Sequence, residues 1–476
     1  MRPSETKRYD MRFHYTRCAL CIFMVFFFIT GCAALSNYSR ITQQSRISIS
    51  KGDFEKALTV FPESSAKGGN EVLIRMERGV LLQATGDYEK SSQEFEQAKK
   101  RIRYFEDKAV ISATRTTSQA GSLIINEQVR PYEGEDFEKI LLHGLDAVNY
   151  LMLGDLEGAR VEIRNAYTRQ KELYEKHAKE LEEAKRKRGT DWERSFQNAD
   201  PGGYDRLKSE AQSVSSIYQN AFAYYISALV YELNNEPDEA YIDLKKAIEA
   251  APQSRSIQKD LIRLSKELNF REDTQMWESR YGKDESTQPD AVDVFVIFEL
   301  GLAPYKEAMG IPIPLSEGGF VSASMPVYRF TPTSIMSGSI LYDGHSEETS
   351  VVSDTDAIAA RNLLDKFPIL FAKQIVRTYL KARATNKLSR EYGAWGAIGG
   401  TLASIITEQA DLRTWSSLPK EIQVARVFVP GITKNITIRS IPGADKEIVD
   451  IPEGARHLIV LCRATDAGLS VQTRVY

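Results

Sequence analysis

Asp343-Gly344-His345-Ser346 holds an acid, a base and a hydroxyl within four residues, the side-chain types of a hydrolytic loop. Asp-Gly is also the strongest short hairpin signal, and a turn accounts for the run without chemistry. His143, His177, His345 and His457 show no pairwise metal-ligand spacing, so no metal site is expected. The acidic run Glu133, Glu135, Asp136 and Glu138 has carboxylates enough for Ca²⁺ or a basic partner. A solvated helix start is the favoured reading, because acids suit the positive end of a helix dipole. Asp411-Leu412-Arg413-Thr414-Trp415 offers a possible binding patch in Arg413 and Trp415, residue types favoured at hot spots. The competing expectation pairs Arg413 with a carboxylate and packs Trp415 between a helical insertion and a sheet. The chain has no GxSxG elbow, no phosphate-binding loop and no dinucleotide glycine pattern. No catalytic residue and no cofactor is therefore expected.

The remaining chemistry belongs to cysteine. Cys18 and Cys21 form a CxxC inside the apolar run 18–29, and Cys32 closes Ile29-Thr30-Gly31-Cys32 directly after it. Lys7, Arg8, Arg12 and Arg17 precede the run, which is too short to span a membrane and has the length of a signal-peptide core. Met11 offers a second start with a compact signal before Cys32. The run ending at Cys32 resembles a bacterial lipobox. That resemblance implies cleavage of residues 1–31, diacylglycerol on the Cys32 thiol and, with Ala33 rather than Asp following, anchoring at the outer membrane facing the periplasm. Acylation at more than one point satisfies the two-signal requirement for stable anchoring. An uncleaved N-terminal anchor is the alternative. After cleavage and lipidation only Cys462 keeps a thiol, which excludes an intrachain disulfide.

Removing residues 1–31 takes five Lys/Arg from 62 and two Asp/Glu from 65, leaving a net charge of −6. That mild acidity leaves no nucleic-acid footprint. The remaining length has room for two or three domains.

A phrase recurs through residues 32–285. It reads Gly52-Asp53-Phe54-Glu55-Lys56-Ala57, Gly86-Asp87-Tyr88-Glu89-Lys90-Ser91, Gly154-Asp155-Leu156-Glu157-Gly158-Ala159 and Asn235-Glu236-Pro237-Asp238-Glu239-Ala240. Ala57 to Ser91 is 34 residues, Ser91 to Ala159 is 68 and Ala159 to Ala240 is 81. The first step is one tetratricopeptide period, the second is two, and the third carries an insertion. Gly79, Ala147 and Ala228 take the small slot of each first helix, and Tyr150 and Tyr231 its aromatic slot. Ala98, Ala166 and Ala247 take the small slot of each second helix, beside the large residues Phe61, Phe95, Ile163 and Leu244. Small residues let paired helices approach and large ones fill the gaps. Residues 101–135 should hold another repeat but match it poorly. The insertion, around 167–220, reads as a long charged helix from Leu156 to Lys187, a loop over 189–203 and a helix resuming through Leu233. The expected result is a hairpin arm extending beyond the solenoid.

Residues 286–476 change character. Strands are expected over 292–300, 320–330, 337–342, 421–429, 434–440, 456–464 and 468–475, forming a sandwich or sheet. A helical insertion is expected around 354–410. Its first helix, 356–384, is capped by Asp354 or Asp356 and kinked or divided at Pro368. The glycine-rich stretch 393–406 suits close helix packing and is too short to span a bilayer. The fold class read from this pattern is α+β, a helical solenoid followed by a β-rich domain.

Several phrases together resemble a family of bacterial tetratricopeptide-repeat lipoproteins. They are Pro131 through Lys139, Asn149-Tyr150-Leu151, Gly154 through Arg160, Gly301-Leu302-Ala303-Pro304, Asp356-Ala357-Ile358-Ala359, Ala410 through Trp415 and Leu418 through Arg426. Leu412 stands where a small or polar residue is expected. The resemblance covers roughly 130–475 and implies no activity. The expected function is a non-enzymatic scaffold or assembly factor, tethered to the membrane by its lipid. Its concave face would be presented to an envelope protein. The alternative is an envelope hydrolase or glycan-binding protein with its site in the C-terminal half.

Overall fold

A computed structural model describes residue 38 and residues 40–115, 130–186, 192–214, 216–283, 290–314, 320–374, 410–443 and 446–476. Cys32, the glycine-rich stretch and most of the expected insertion around 354–410 lie outside the described residues. The fold is α+β, a helical repeat region followed by a β-rich one.

The repeat region begins with α1 (residues 40–50) and α2 (Phe54–Thr59). It continues with the pairs α3 (Glu71–Ala84) and α4 (Tyr88–Arg115), then α5 (Asp136–Leu153) and α6 (Leu156–Arg186). Two short helices follow, α7 (Trp192–Ala199) and α8 (Pro201–Glu210). The pairs α9 (Ala221–Leu233) with α10 (Pro237–Ala250) and α11 (Arg255–Glu267) with α12 (Arg271–Tyr281) complete it. The recurring phrase is the turn between α1 and α2 and inside the pairs α3/α4, α5/α6 and α9/α10. Gly52, Gly86 and Gly154 are left-handed, and Asn235 takes that conformation in the fourth copy. The following Asp caps the next helix. Asp53 accepts from Lys56 N–H at 3.0 Å, Asp87 from Lys90 N–H at 3.3 Å and Asp155 from Gly158 N–H at 2.9 Å. In the fourth copy no side chain caps the helix; Pro237 at the first helical position has no N–H to be capped and brings a φ already suited to the helix. Ala57, Ala98, Ala147, Ala159, Ala166, Ala228, Ala240 and Ala247 are buried where the helices touch. Gly79 admits the Phe95 ring, whose Cε1 lies 2.1 Å from where a Cβ would stand. Tyr150 and Tyr231 are half-buried at the edge of the same core.

Two details of this region correct the expectations. No further repeat occupies 101–115, because α4 runs on through them. The span 192–210 is helical rather than a loop, with Asp200 capping α8 through Gly203 N–H at 3.0 Å. Nor do these helices extend into solvent. α7 lies on the β-rich half, Phe196 stacks on Phe367 at 4.8 Å, and Asp200 pairs with Arg329 at 3.3 Å. The chain is out of helix at Val214 and at 216–220 instead.

The β-rich half contains a five-stranded sheet in the order β11-β10-β1-β7-β6. Its strands are β1 (Ala291–Leu300), β6 (Ser350–Asp354), β7 (Glu421–Pro430), β10 (His457–Thr465) and β11 (Gly468–Val475). A four-stranded sheet runs β5-β4-β8-β9, from β4 (Ser337–Tyr342), β5 (His345–Glu348), β8 (Asn435–Ile441) and β9 (Lys446–Asp450). β2 (Tyr305–Pro314) and β3 (Phe320–Arg329) form a separate hairpin. Strands β2, β5, β6 and β9 escape the sequence pattern. β2 carries Gly310, Pro312 and Pro314, which a paired but two-stranded ribbon tolerates. Asp343 and Gly344 are left-handed between β4 and β5, so the Asp-Gly-His-Ser run is a two-residue hairpin. α13 (residues 355–374) follows β6 with Asp354 accepting from Ala357 N–H at 3.0 Å, and it runs through Pro368 undivided.

The five-stranded sheet is the middle of three layers. Phe295, Ile297, Ile422, Val424, Ile459 and Leu461 pack on the helices, while Val294, Val296, Phe298, Val427, Leu458 and Val460 pack on the second sheet. Period-two alternation divides β1 between the two cores. Both sheet edges are covered by repeats. Gln472 on β11 donates to Ala84 O at 3.3 Å, and the Tyr476 hydroxyl donates to Leu151 O at 2.5 Å. On β6, the Ser350 hydroxyl accepts from Ser256 N–H at 3.0 Å. A Cβ on Gly154 would lie 2.1 Å from Arg474 Nη2 and sit on a left-handed backbone. Gly154→Ala should therefore lower stability by about 1–3 kcal/mol. Adding Arg474→Ala should recover only the clash component. Urea midpoints for the two variants measure both, and a neutral Gly154→Ala would show that the turn does not seat the strand.

Candidate functional site at the inner face of the repeats

The first helices of the pairs were expected to offer a groove to another protein. They face this chain's own C-terminal half instead. The segment 413–417, irregular and ending in a turn at Ser416–Ser417, lies across α1, α3 and α5, and each helix contributes one charged group to its backbone. Arg46 donates to Ser416 O at 2.9 Å. Glu77 accepts from Ser416 N–H at 2.8 Å, Ser417 N–H at 2.9 Å and the Tyr38 hydroxyl at 3.1 Å. Glu138 accepts from Trp415 N–H at 2.9 Å, Glu135 N–H at 2.8 Å and the Tyr132 hydroxyl at 2.5 Å. A segment outside helix and sheet leaves its N–H groups without regular partners, and two buried carboxylates satisfy those of Trp415, Ser416 and Ser417.

This placement corrects two readings of the sequence. Arg413 and Trp415 do not form a surface patch, since both are buried. Arg413 pairs with Asp411 at 2.6 Å and donates to Arg130 O at 3.0 Å. Trp415 meets Phe95 of the repeats edge-on, with ring centroids 5.9 Å apart. The acidic run is not solvated either. Glu135 is paired with Lys306 at 2.6 Å and Lys366 at 2.8 Å, and Glu138 is wholly buried.

Burial, then the neighbouring Glu135 carboxylate, raises the Glu138 pKa to about 7 against the hydrogen bonds that pull it down. Burial raises Glu77 as well. A carboxyl whose folded pKa exceeds its unfolded one binds more protons when folded. Its stabilising share is complete below the unfolded value near 4.5 and is lost as pH rises through about 7. Stability should therefore fall across that interval, and Glu138→Gln should flatten the slope. Urea midpoints over a pH series test this, and an unaltered slope in Glu138→Gln would sink it.

A second junction joins α9 and α11 to the sheet. Arg426 on β7 reaches Asp293 at 2.7 Å, Glu232 at 2.7 Å and Asp260 at 3.5 Å. Arg263 reaches Glu232 at 2.7 Å and Asp260 at 3.0 Å. His457 Nδ1 lies 3.0 Å from Asp293, and the Tyr225 hydroxyl bonds Asp260. Burial alone would raise these carboxyls. Arg426 outweighs it at Asp293, and Arg263 with Arg426 at Glu232, so both are held below the usual carboxylate range. None of these junction residues was identified from sequence. The available signal was charge inside apolar runs: Glu77 in VLIRMERGVLL, Asp293 in VDVFVIFEL and Arg426 in IQVARVFV.

Elsewhere, Glu96, Asp146 and Glu162 place carboxylate oxygens within 4.8 Å of one another. The Lys99 ammonium stands among them at 2.6, 2.7 and 2.8 Å, so the cluster already has its cation. Cys462 is buried on β10 and burial pushes its thiol pKa up, which leaves it an unreactive core residue. One large cleft, about 770 Å³, opens between α1, the start of β2 and the 412–416 segment. Among the described residues no helix is long and apolar enough to cross a membrane.

Residues 223–254, covering α9, α10 and their turn, match the tetratricopeptide repeat family. The chain contains tetratricopeptide repeats. Comparison with curated proteins finds no match. Among solved structures the chain is similar to MamA from Desulfovibrio magneticus RS-1, at 13% identity, 52% coverage of this chain, 92% of that chain and TM-score 0.29. It is also similar to BtubC from P. vanneervenii, at 14% identity, 53% and 85% coverage and TM-score 0.30.

Proposed function

We propose that the chain is a non-enzymatic scaffold, tethered by lipid on Cys32 to the outer membrane and facing the periplasm, where it holds an envelope protein. The tetratricopeptide repeats carry this reading, with one change from the groove-binding expectation. Since the inner face is committed to the chain's own sheet and its 413–417 segment, the partner meets the outer helices. Tyr167 and Tyr174, two turns apart on α6, are about half exposed there, at 48% and 59%. Amphipathic rings are favoured anchors at interfaces. The hydrolase alternative lacks a constellation among the described residues: the cleft is lined by one carboxylate, Glu307, which Arg329 takes up at 2.9 Å.

In-cell crosslinking of the full chain, with membrane fractionation, tests the proposal beside Cys32→Ser and a Tyr167→Ala/Tyr174→Ala variant. Wild type is expected in the outer-membrane fraction with one defined envelope complex. Cys32→Ser is expected to leave the membrane, and the double variant to stay there but lose the complex. Unchanged localisation of Cys32→Ser overturns the anchor. Capture that survives the double variant overturns the docking face.

A further inference from the structure

The cleft beside α1 has an electrostatic asymmetry. Buried arginines elsewhere are matched to acids: Arg263 and Arg426 to Glu232 and Asp260, Arg413 to Asp411, and Arg463 to Glu299 at 3.6 Å. Arg46, on the cleft wall, is not. It donates to Ser416 O and Thr331 Oγ1 and lies 5.0 Å above the Tyr305 ring, and no described carboxylate is within ion-pair distance. The other charges lining the inner wall are neutralised, Lys306 by Glu135 and Glu307 by Arg329. Burial pulls the Arg46 pKa down and outweighs the Glu77 and Asp356 carboxylates, which act on it from beyond ion-pair distance.

Around Arg46 the walls are apolar, from Leu302, Tyr305, Phe330 and Leu412, and Ile47 stands about half exposed at the rim. The volume, about 770 Å³, is that of a small-molecule site. Arg46, with the exposed Arg40 and the hydroxyls of Thr42 and Thr331 beside these apolar side chains, fits an anion carried on a hydrocarbon. The cleft's position selects the source. α1 starts at residue 40, eight residues after Cys32, and eight residues reach at most about 29 Å.

We propose that this cleft binds the headgroup of an anionic phospholipid, Arg46 holding the phosphate and the apolar walls the first part of an acyl chain. The choice of a membrane lipid rests on the anchoring proposed above.

The test uses the full chain in phosphatidylcholine nanodiscs carrying a trace of photoreactive phosphatidylglycerol or, separately, photoreactive phosphatidylcholine. Adducts are mapped by peptide mass spectrometry. The anionic probe is expected to label peptides spanning 42–50 and 302–308. Arg46→Gln should reduce labelling about tenfold, the loss of one charge-assisted contact. Ile47→Glu, which places a carboxylate on an already exposed position, should do the same without disturbing the fold, as circular dichroism will report. Equal labelling by the phosphatidylcholine probe, or labelling unaltered in both variants, overturns the proposal. Displacement by inorganic phosphate alone overturns the lipid source and leaves a simple anion site. If the chain does not enter nanodiscs, the anchor has failed. A photoreactive lysophosphatidylglycerol in solution then decides the cleft by itself, and absence of label at 42–50 and 302–308 overturns it.

Discussion

Trp415→Ala should destabilise the folded chain by about 3–5 kcal/mol, the range for truncating a large buried aromatic. The indole is enclosed, packs edge-on against Phe95, and follows directly on the Arg413 contacts that fix the segment to the Gly69 and Arg130 carbonyls. Its loss leaves a cavity between the repeats and the 413–417 segment, and Gly79 sits on the far side of Phe95 with no side chain to fill it. The indole N–H has no partner in the buried site. Trp415→Phe should therefore cost far less than Trp415→Ala, because it removes an unpaired donor and keeps most of the ring contact. Chemical denaturation of both variants measures this. A Trp415→Ala protein of native stability that failed to capture a partner would restore the binding-patch reading.

Arg426→Ala should cost about 3–5 kcal/mol at neutral pH, because it leaves acids buried without their cation. Among the described residues Asp293 has no other arginine within ion-pair distance, and His457 faces it from β10. Glu232 and Asp260 keep Arg263. The sign with pH should reverse between the two proteins. In wild type, Asp293 and Glu232 are held below their unfolded values, so their contribution is present above the usual carboxylate range and is lost as pH falls through the depressed folded values. In Arg426→Ala, burial without the cation raises the Asp293 carboxyl. Its penalty is then felt at neutral pH and relieved as pH falls. The difference in unfolding free energy between the two proteins should shrink on acidification. A constant difference from neutral pH down to the carboxylate range would show that Arg426 acts by packing alone.

The outline of the fold was legible where a local rule forces it. The Gly-Asp and Asn-Glu phrases mark turns because a left-handed residue followed by a cap reverses a helix irrespective of what surrounds it. The long strands were legible because β-branched and aromatic runs such as VDVFVIFEL have few other uses. Short or broken strands were not: β2 carries Gly310 and two prolines, and β5 and β9 are four and five mostly exposed residues whose pairing depends on neighbours distant in sequence. Of the residues singled out for chemistry, the Asp-Gly run was legible as a turn. Arg413 and Trp415 were noticed for their types, but type does not say whether a residue faces outward.

The sequence by itself determined a repeat period, the turns within it, a helical half followed by a β-rich half, and a lipobox-like cysteine whose lipidation is still to be tested. Each of these is local, set by spacing, capping and residue propensity over a few tens of residues. Tertiary structure decided what the inner face holds. Glu77, Glu138, Asp293 and Arg426 are ordinary charged residues until distant segments bring Ser416, Trp415, His457 and Glu232 to them. A buried charge is tolerable only with its partner in place. The pairings that seat the chain's own 413–417 segment on the repeats join residues far apart in the chain, as the 339-residue separation of Glu77 and Ser416 illustrates.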